Sequence, residues 1–382
     1  MTGCALSAPS DICSKGNGLV EGSSAFDAII IGAGAAGLMA AMTAGQRGRR
    51  ILLLDHNAEP GAKILISGGG RCNFTNREAP ANRFISANPH FAKSALSRFT
   101  PADFIALVDR HGIAWHEKTL GQLFCDGSAR QIVSMLMAAV QEAAVRLSFN
   151  TRIAAVTHDG MFHVTTETGE RFSARGLVVA SGGLSIPKLG ATNFAYRVAE
   201  QFGLPVVAPE PALVPLTFGE PDLSLMRALS GTACEVLVEA GKTRFREAML
   251  FTHRGLSGPA ILQISSYLRG NDRISVNLMP GADARDALLA AKRARPRIAL
   301  RTALADRLPQ RLAHALSPDE SAPPIGMMTD KALAAVAEQL QAWLLTPSGT
   351  EGFAKAEVTR GGIDTRALSS QTMASRALPG LH

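Results

Sequence analysis

The strongest constraint on this chain is a glycine spacing read together with its neighbours. Phe26–Ile31, "FDAIII", is a short apolar run rich in isoleucine. "GAGAAG" follows at once, from Gly32 to Gly37, and then "LMAAMTAGQRG", with Ala, Leu and Met at helical spacing. A second apolar run, "RRILLLD", closes at Asp55. The order strand, tight turn, helix, strand predicts a parallel βαβ unit. In such a unit Gly32 turns the chain sharply out of the strand, and Gly34 lets the backbone approach a pyrophosphate, with Ala36 on the same turn. Gly37 lets the helix press against the strand. The helix N-terminus offers unpaired N–H groups and a positive dipole end to phosphates. Asp55 can accept hydrogen bonds from ribose hydroxyls. A carboxylate there opposes a 2′-phosphate, so NADP is not expected at this site, while NAD and FAD both stay open.

The next stretch points to FAD. "NAEPGAKILISGGGRCNFTN" reads as a long glycine-rich loop where a plain NAD domain would continue into another helix and strand. Three adjacent glycines suit neither a helix nor a packed strand. Gly68, Gly69 and Gly70 would expose backbone N–H groups to a ligand, and Arg71 and Asn73 would point at its reactive end. A loop so close to the first phosphate turn can wrap the far side of a cofactor longer than one βαβ unit.

"DAIIIGAGAAGLMAA" and "KILISGGGRCNFTN" together resemble the BaiN-like family of bacterial flavoproteins, also called the aminoacetone-oxidase-like or YhiN family. "ANPHF", "GQLFCDGSA", "VVASGGLSIPKLGAT", "PALVPL", "LFTHRGLSGPAILQIS" and "AEVTRGGIDT" follow in order and are similar to family segments, so the resemblance runs from Phe26 to Gly380. It implies an α/β fold: a two-dinucleotide-binding, Rossmann-like FAD domain of the glutathione-reductase type, with an inserted small β domain and a helical subdomain. It implies one noncovalent FAD. Beside the glycines above, the cofactor contacts it implies are Lys63, Cys72, Ile153, Ser181, Gly182, Gly183, Arg360 and Gly361. Arg71 and Asn73 are expected both to touch the cofactor and to serve the reaction with His253 and Arg254. Those last two precede a Gly-Leu-Ser-Gly-Pro turn that reads as a helix start, which could hold an anionic or carbonyl-bearing substrate; a helix-capping turn is the other reading. The family continues past "PGL" into a strand, an acidic residue, a glycine-rich turn and a last helix. The sequence stops at His382, so weakened FAD retention is expected.

The texture of the rest divides the chain. Residues 1–24 are expected to be a disordered extension. Residues 25–204 and 350–382 are assigned to the FAD domain, 205–280, rich in proline and short β runs, to a β insertion, and 281–349 to a helical one. Thr100–Arg110 carries a Thr cap and Pro at the first position, and Ala129–Val145 is amphipathic, so both are expected to be helical. Arg152–Val156 and Phe162–Thr166 alternate like strands around "THDG", a hairpin turn.

The formal net charge is +7. Arg285, Lys292, Arg293, Arg295, Arg297, Arg301, Arg307 and Arg311 crowd one stretch against Asp283, Asp286 and Asp306. Leu and Ala recur among them at helical spacing, and no aromatic residue interleaves, so a solvated helix face is expected and nucleic acid is not. The five cysteines, an odd number without CxxC or metal spacing, fit free thiols in a reducing cytoplasm and no metal site. No apolar run of transmembrane length is present, so no membrane partner is expected. The expected function is hydride transfer between FAD and a small organic substrate, with NAD(P)H as a transient electron donor; the oligomeric state is left open. A flavin-dependent tRNA-modifying enzyme and a non-enzymatic, truncated flavin-binding remnant are the alternatives.

Overall fold

The computed structural model describes residues 26–317 and 323–382; the expected N-terminal extension lies outside them. β1 (Phe26–Ile31), α1 (Ala35–Gln46) and β2 (Ile51–Leu54) form the βαβ unit, with Ile29 opposite Leu52 and Ile31 opposite Leu54 in parallel register. The sheet extends on both sides. Arg146–Ser148 lies parallel to β2, and Arg171–Val179 lies parallel to β1. Beyond Arg171–Val179, Phe162–Thr166 and Ile153–His158 continue the six-stranded sheet antiparallel.

Strand residues point alternately to the two faces, so β1 and β2 feed two cores. Ile30, Ile51 and Leu53 pack with Leu38 and Met42 of α1 and with Ile132, Leu136 and Val140 of the helix Ala129–Glu142. Ile29, Ile31, Leu52 and Leu54 pack with Phe162, Leu177, Val198 and Leu381 on the other face. β2 is apolar at every position and β1 at every position but Asp27, because helices and loops cover both sides of these strands. The helix Ala129–Glu142 starts where Ser128 and Gln131 form a reciprocal capping box, and Pro101–Arg110 starts where Thr100 and Asp103 do the same.

The stretch expected to be one long glycine-rich loop is mostly ordered secondary structure. Ala62–Ile66 is a short helix, α2; Ser67–Gly70 is a tight turn; Asn73–Asn76 is a strand, β3. Antiparallel pairing explains the difference. β3 pairs with Gln122–Cys125, which also pairs with Trp115–Glu117, closing a three-stranded sheet. The glycine turn itself stays irregular, with Gly68 at φ 58° and Gly69 at φ 66° and Cys72 at φ 52° just after it.

A seven-stranded sheet lies in the second half of the chain, centred on Ala233–Ala240 and Thr243–Thr252. One apolar cluster runs from Leu216 to Leu345 and joins that sheet to the helices Ala284–Ala294 and Asp330–Gln341, so the β-rich and helical stretches share a core. A two-stranded ribbon, Val206–Ala212 against Val358–Ile363, forms the passage between this body and the six-stranded sheet. Among the described residues no helix is long and apolar enough to cross a membrane.

Candidate functional site: a cleft between two glycine turns

A cleft of about 470 Å³ opens at the C-terminal ends of β1, β2 and Arg171–Val179, where ligands of open α/β sheets bind. Its floor is the turn Gly32–Ala36. Gly37 lies behind it: a Cβ there would sit 1.8 Å from the Gly32 carbonyl oxygen, so only glycine lets α1 press so close to the turn. Gly34 is the opposite case. A Cβ on Gly34 would meet nothing within 4 Å, which leaves its exposed side to a ligand. No side chain caps α1, so its leading N–H groups are also free for one. Asp55 closes the turn from β2: Oδ2 accepts from the Ala33 N–H at 2.6 Å and Oδ1 from the Asn57 N–H at 2.8 Å.

The opposite wall is Ala180–Gly183, where Arg171–Val179 ends beside β1. Two side-chain atoms lining the cleft are buried without a hydrogen-bond partner, Ser181 Oγ and His56 Nε2. An unpaired buried polar atom is costly, and in a ligand cleft it marks where a ligand's polar atom fits. Lys63, on α2, reaches along the rim and donates from Nζ to Ser185 Oγ at 2.6 Å. Burial pushes the Lys63 ammonium below its usual pKa. Ser185 in turn donates its N–H to Thr359 Oγ1 at 3.0 Å, which ties the rim to Val358–Ile363.

Of the residues singled out in the sequence, Gly32, Gly34, Ala36, Asp55, Lys63, Ile153, Ser181, Gly182 and Gly183 line this one cleft. Gly68–Gly70, Arg71, Cys72 and Asn73 stand outside its lining, on the turn and strand that continue from α2. Arg71 is exposed. In the amide orientation that satisfies both ends, Asn73 donates to the carbonyls of Leu123 and Thr75. Cys72 is buried, and burial raises its thiol pKa; the neighbouring Cys125 thiol is pushed to about 11, by burial first and then by Cys72. Arg360 and Gly361 lie on the two-stranded ribbon, where the Arg360 guanidinium holds Glu210 and the carbonyls of Ser266 and Leu268. His253 and Arg254 sit at the turn between Thr243–Thr252 and Gly255–Ser257, with Arg254 3.5 Å from Glu351. Eight polar cleft residues had not been singled out: His56, Asn57, Thr151, Arg152, Glu167, Thr192, Asn193 and Arg197. Arg197 lies one turn into the helix Phe194–Gln201, whose start also faces the cleft; the "GATN" stretch before it was the sequence signal.

A model of the HI0933-like protein Rossmann domain matches residues 26–382. The chain belongs to this family. It is an FAD-dependent oxidoreductase, and FAD is its cofactor. The cleft fits that cofactor: open space at Gly34, a bare helix start, a carboxylate at the end of β2 and two unpartnered polar atoms suit an adenosine diphosphate moiety. Among similar proteins is "Ribosomal RNA dihydrouridine synthase" of Escherichia coli (strain K12), 48% identical over 94% of this chain and 90% of the relative. A protein of the same description from Haemophilus influenzae is 42% identical over 93% of this chain and 90% of the relative. A "3-dehydro-bile acid delta(4,6)-reductase" of Clostridium scindens is 26% identical over 92% of this chain and 90% of the relative.

Proposed function

We propose that this chain is an FAD-dependent reductase that adds two hydrogens across the C5–C6 double bond of a uracil ring in ribosomal RNA. The observation that carries the reading is the pairing of the two-turn cleft with near-half identity, over almost the full length, to a protein described as a ribosomal RNA dihydrouridine synthase. The more distant bile-acid relative supports the same reaction class, since its description also names reduction of carbon–carbon double bonds. The RNA substrate replaces the small molecule expected from sequence, and it lies nearer to the tRNA alternative.

When bound, FAD supplies the two-electron chemistry. The protein's part is to hold and orient. The cleft residues would anchor the adenosine and pyrophosphate, with Arg197 and Arg152 as cations at the mouth. Hydride addition at C6 of uracil puts negative charge on the O4 carbonyl until C5 takes a proton. Arg71, exposed on the turn that continues from α2, would oppose that charge by hydrogen bonding, whereas the Asn73 amide is already spent on the Leu123 and Thr75 carbonyls. Cys72, buried with a raised thiol pKa, is a protonated group at pH 7 rather than a nucleophile.

The test is to incubate the FAD-loaded protein with ribosomal RNA that lacks dihydrouridine, with NADH or NADPH in turn, and to read nucleosides by mass spectrometry. A uridine that gains two hydrogens is the expected result. Turnover of a conjugated steroid ketone with no change in the RNA would move the function to small molecules.

A further inference from the structure

The densest basic stretch of the sequence is partly neutralised within the fold. Lys292 pairs with Asp330, Arg295 with Asp306, and Arg311 donates to the carbonyls of Ala228 and Ser230. A different stretch of the chain also has cations without such partners. Arg71, Arg83 and Lys93 are exposed, and among the described residues none has a side-chain hydrogen bond or ion pair. They share the region of residues 66–120 with large exposed apolar side chains: Phe84 is 47% exposed, Phe99 45% and Leu120 65%. Leu120 holds a φ of 57° at the tip of its turn, a left-handed conformation that costs a leucine energy and is kept where the surroundings enforce it. Asn76 Nδ2 and the Arg77 N–H clamp that tip through the carbonyls of Leu120 and Gly121.

An aromatic row joins Phe99, the helix Pro101–Arg110, β3 and Trp115–Glu117 into one unit. Phe99 packs on Phe104, Phe104 on Phe74 and Phe74 on Trp115, with centroids 6.0–6.4 Å apart. Arg77 covers the far end, 5.0 Å over the Trp115 ring. β3, which carries Phe74, follows directly from the turn Ser67–Gly70 and Arg71, so along the chain this unit connects to the rim of the cofactor cleft through α2.

We propose that the surface formed by residues 74–120 is the docking platform for a single-stranded segment of RNA: Arg83 and Lys93 pair with its phosphates while Phe84, Phe99 and Leu120 support unstacked bases. The proposal rests on the RNA reading above and adds where the RNA sits. Free cations interleaved with exposed rings are the chemistry that binds unpaired strands, whereas duplex RNA is recognised by shape and hides its base faces. A uracil must leave its stack before a buried cofactor can reach it. Uncompensated positive charge favours a polyanion over a neutral protein partner.

The test measures fluorescence anisotropy of a fluorescein-labelled, uridine-rich single-stranded oligoribonucleotide of about 12 nucleotides, and of its duplex, against FAD-loaded protein across a salt series. Three double variants are compared with the wild type: Phe84→Ala with Phe99→Ala, Arg83→Gln with Lys93→Gln, and Arg293→Gln with Arg297→Gln on the helical stretch. The aromatic pair is expected to weaken single-strand binding about tenfold or more. The Arg83/Lys93 pair is expected to flatten the slope of log affinity on log salt by about 0.7 per lost phosphate contact. The helical pair should leave both unchanged, and flavin content should match in all four proteins. RNA bound normally by both platform variants would overturn the platform and leave the RNA reading standing. No RNA binding by the wild type would sink both. Equal affinity for duplex, or a wild-type dimer that the aromatic pair dissociates, would also overturn the proposal.

Discussion

At the residue scale, glycine positions are legible where the constraint is local. The spacing Gly32, Gly34, Gly37 states which backbone must turn, which must stay open and which must be approached, and the structure assigns different physics to each. The variants therefore separate. Gly37→Ala drives a methyl group to 1.8 Å from a backbone oxygen and should cost at least about 2 kcal/mol of stability with or without FAD. Gly34→Ala has open space and an ordinary φ of −80°, so the FAD-free protein should melt normally, while the methyl group occupies the phosphate approach. FAD affinity should fall tenfold or more, about 1.4 kcal/mol. Flavin titration beside thermal melting reads both; a Gly34→Ala protein that binds FAD normally would move the phosphates elsewhere. Lys63 gives a pH signature. Its folded pKa lies below the usual 10.5, so between the two values the unfolded chain still holds a proton that the folded chain has lost. Stability of the FAD-free protein therefore gains a rising component with pH in that window. Subtracting urea midpoints of Lys63→Met from wild type isolates the component, and a flat difference would contradict it. His56, Asn57, Arg152 and Arg197 were not legible, because ordinary polar residues reach a cleft through distant pairings that no local spacing encodes.

At the element scale, legibility followed length and capping. The helix Ala129–Glu142 and the hairpin around "THDG" stand close to their expected ranges, since periodicity and turn chemistry act within a few residues. The sheet of Asn73–Asn76, Trp115–Glu117 and Gln122–Cys125 was invisible. Its strands are three or four residues long, too short for an alternating pattern, and β3 finds its partner more than forty residues away. The last residues are a second such case. Gly380 O accepts from the Leu177 N–H at 2.8 Å, and the Val179 N–H donates to His382 O at 2.9 Å, so this segment lies alongside Arg171–Val179. Leu381, 4% exposed, packs in the same core as Phe162 and Leu177. Leu381→Ala should cost about 2–4 kcal/mol in urea unfolding. A loss below about 1 kcal/mol would mean that the segment is not seated on the sheet in solution.

At the scale of the whole molecule, the cofactor cleft belongs to the six-stranded sheet, and the largest apolar cluster belongs to the seven-stranded body. Arg360 is a principal tie between the ribbon and that body. One guanidinium nitrogen donates to the Ser266 and Leu268 carbonyls at 3.1 and 2.9 Å, while the others hold Glu210. Ser266 follows directly on the helix Pro259–Ser265, where a cation also meets the negative end of the helix dipole. From sequence, Arg360 was expected to tune the flavin, because a "TRGG" turn shows its charge and not its bonding partners. The two roles separate cleanly in Arg360→Met. If Arg360 acts by holding the ribbon to that body, the variant loses about 2 kcal/mol of stability through charged hydrogen bonds to part-buried carbonyls. FAD affinity should then stay within about twofold, because Arg360 does not line the cleft. Urea unfolding and flavin titration on the same preparation decide it. Unchanged unfolding with a tenfold weaker FAD complex would return Arg360 to the cofactor and would require the ribbon to reach the cleft, whose lining it does not join in this structure.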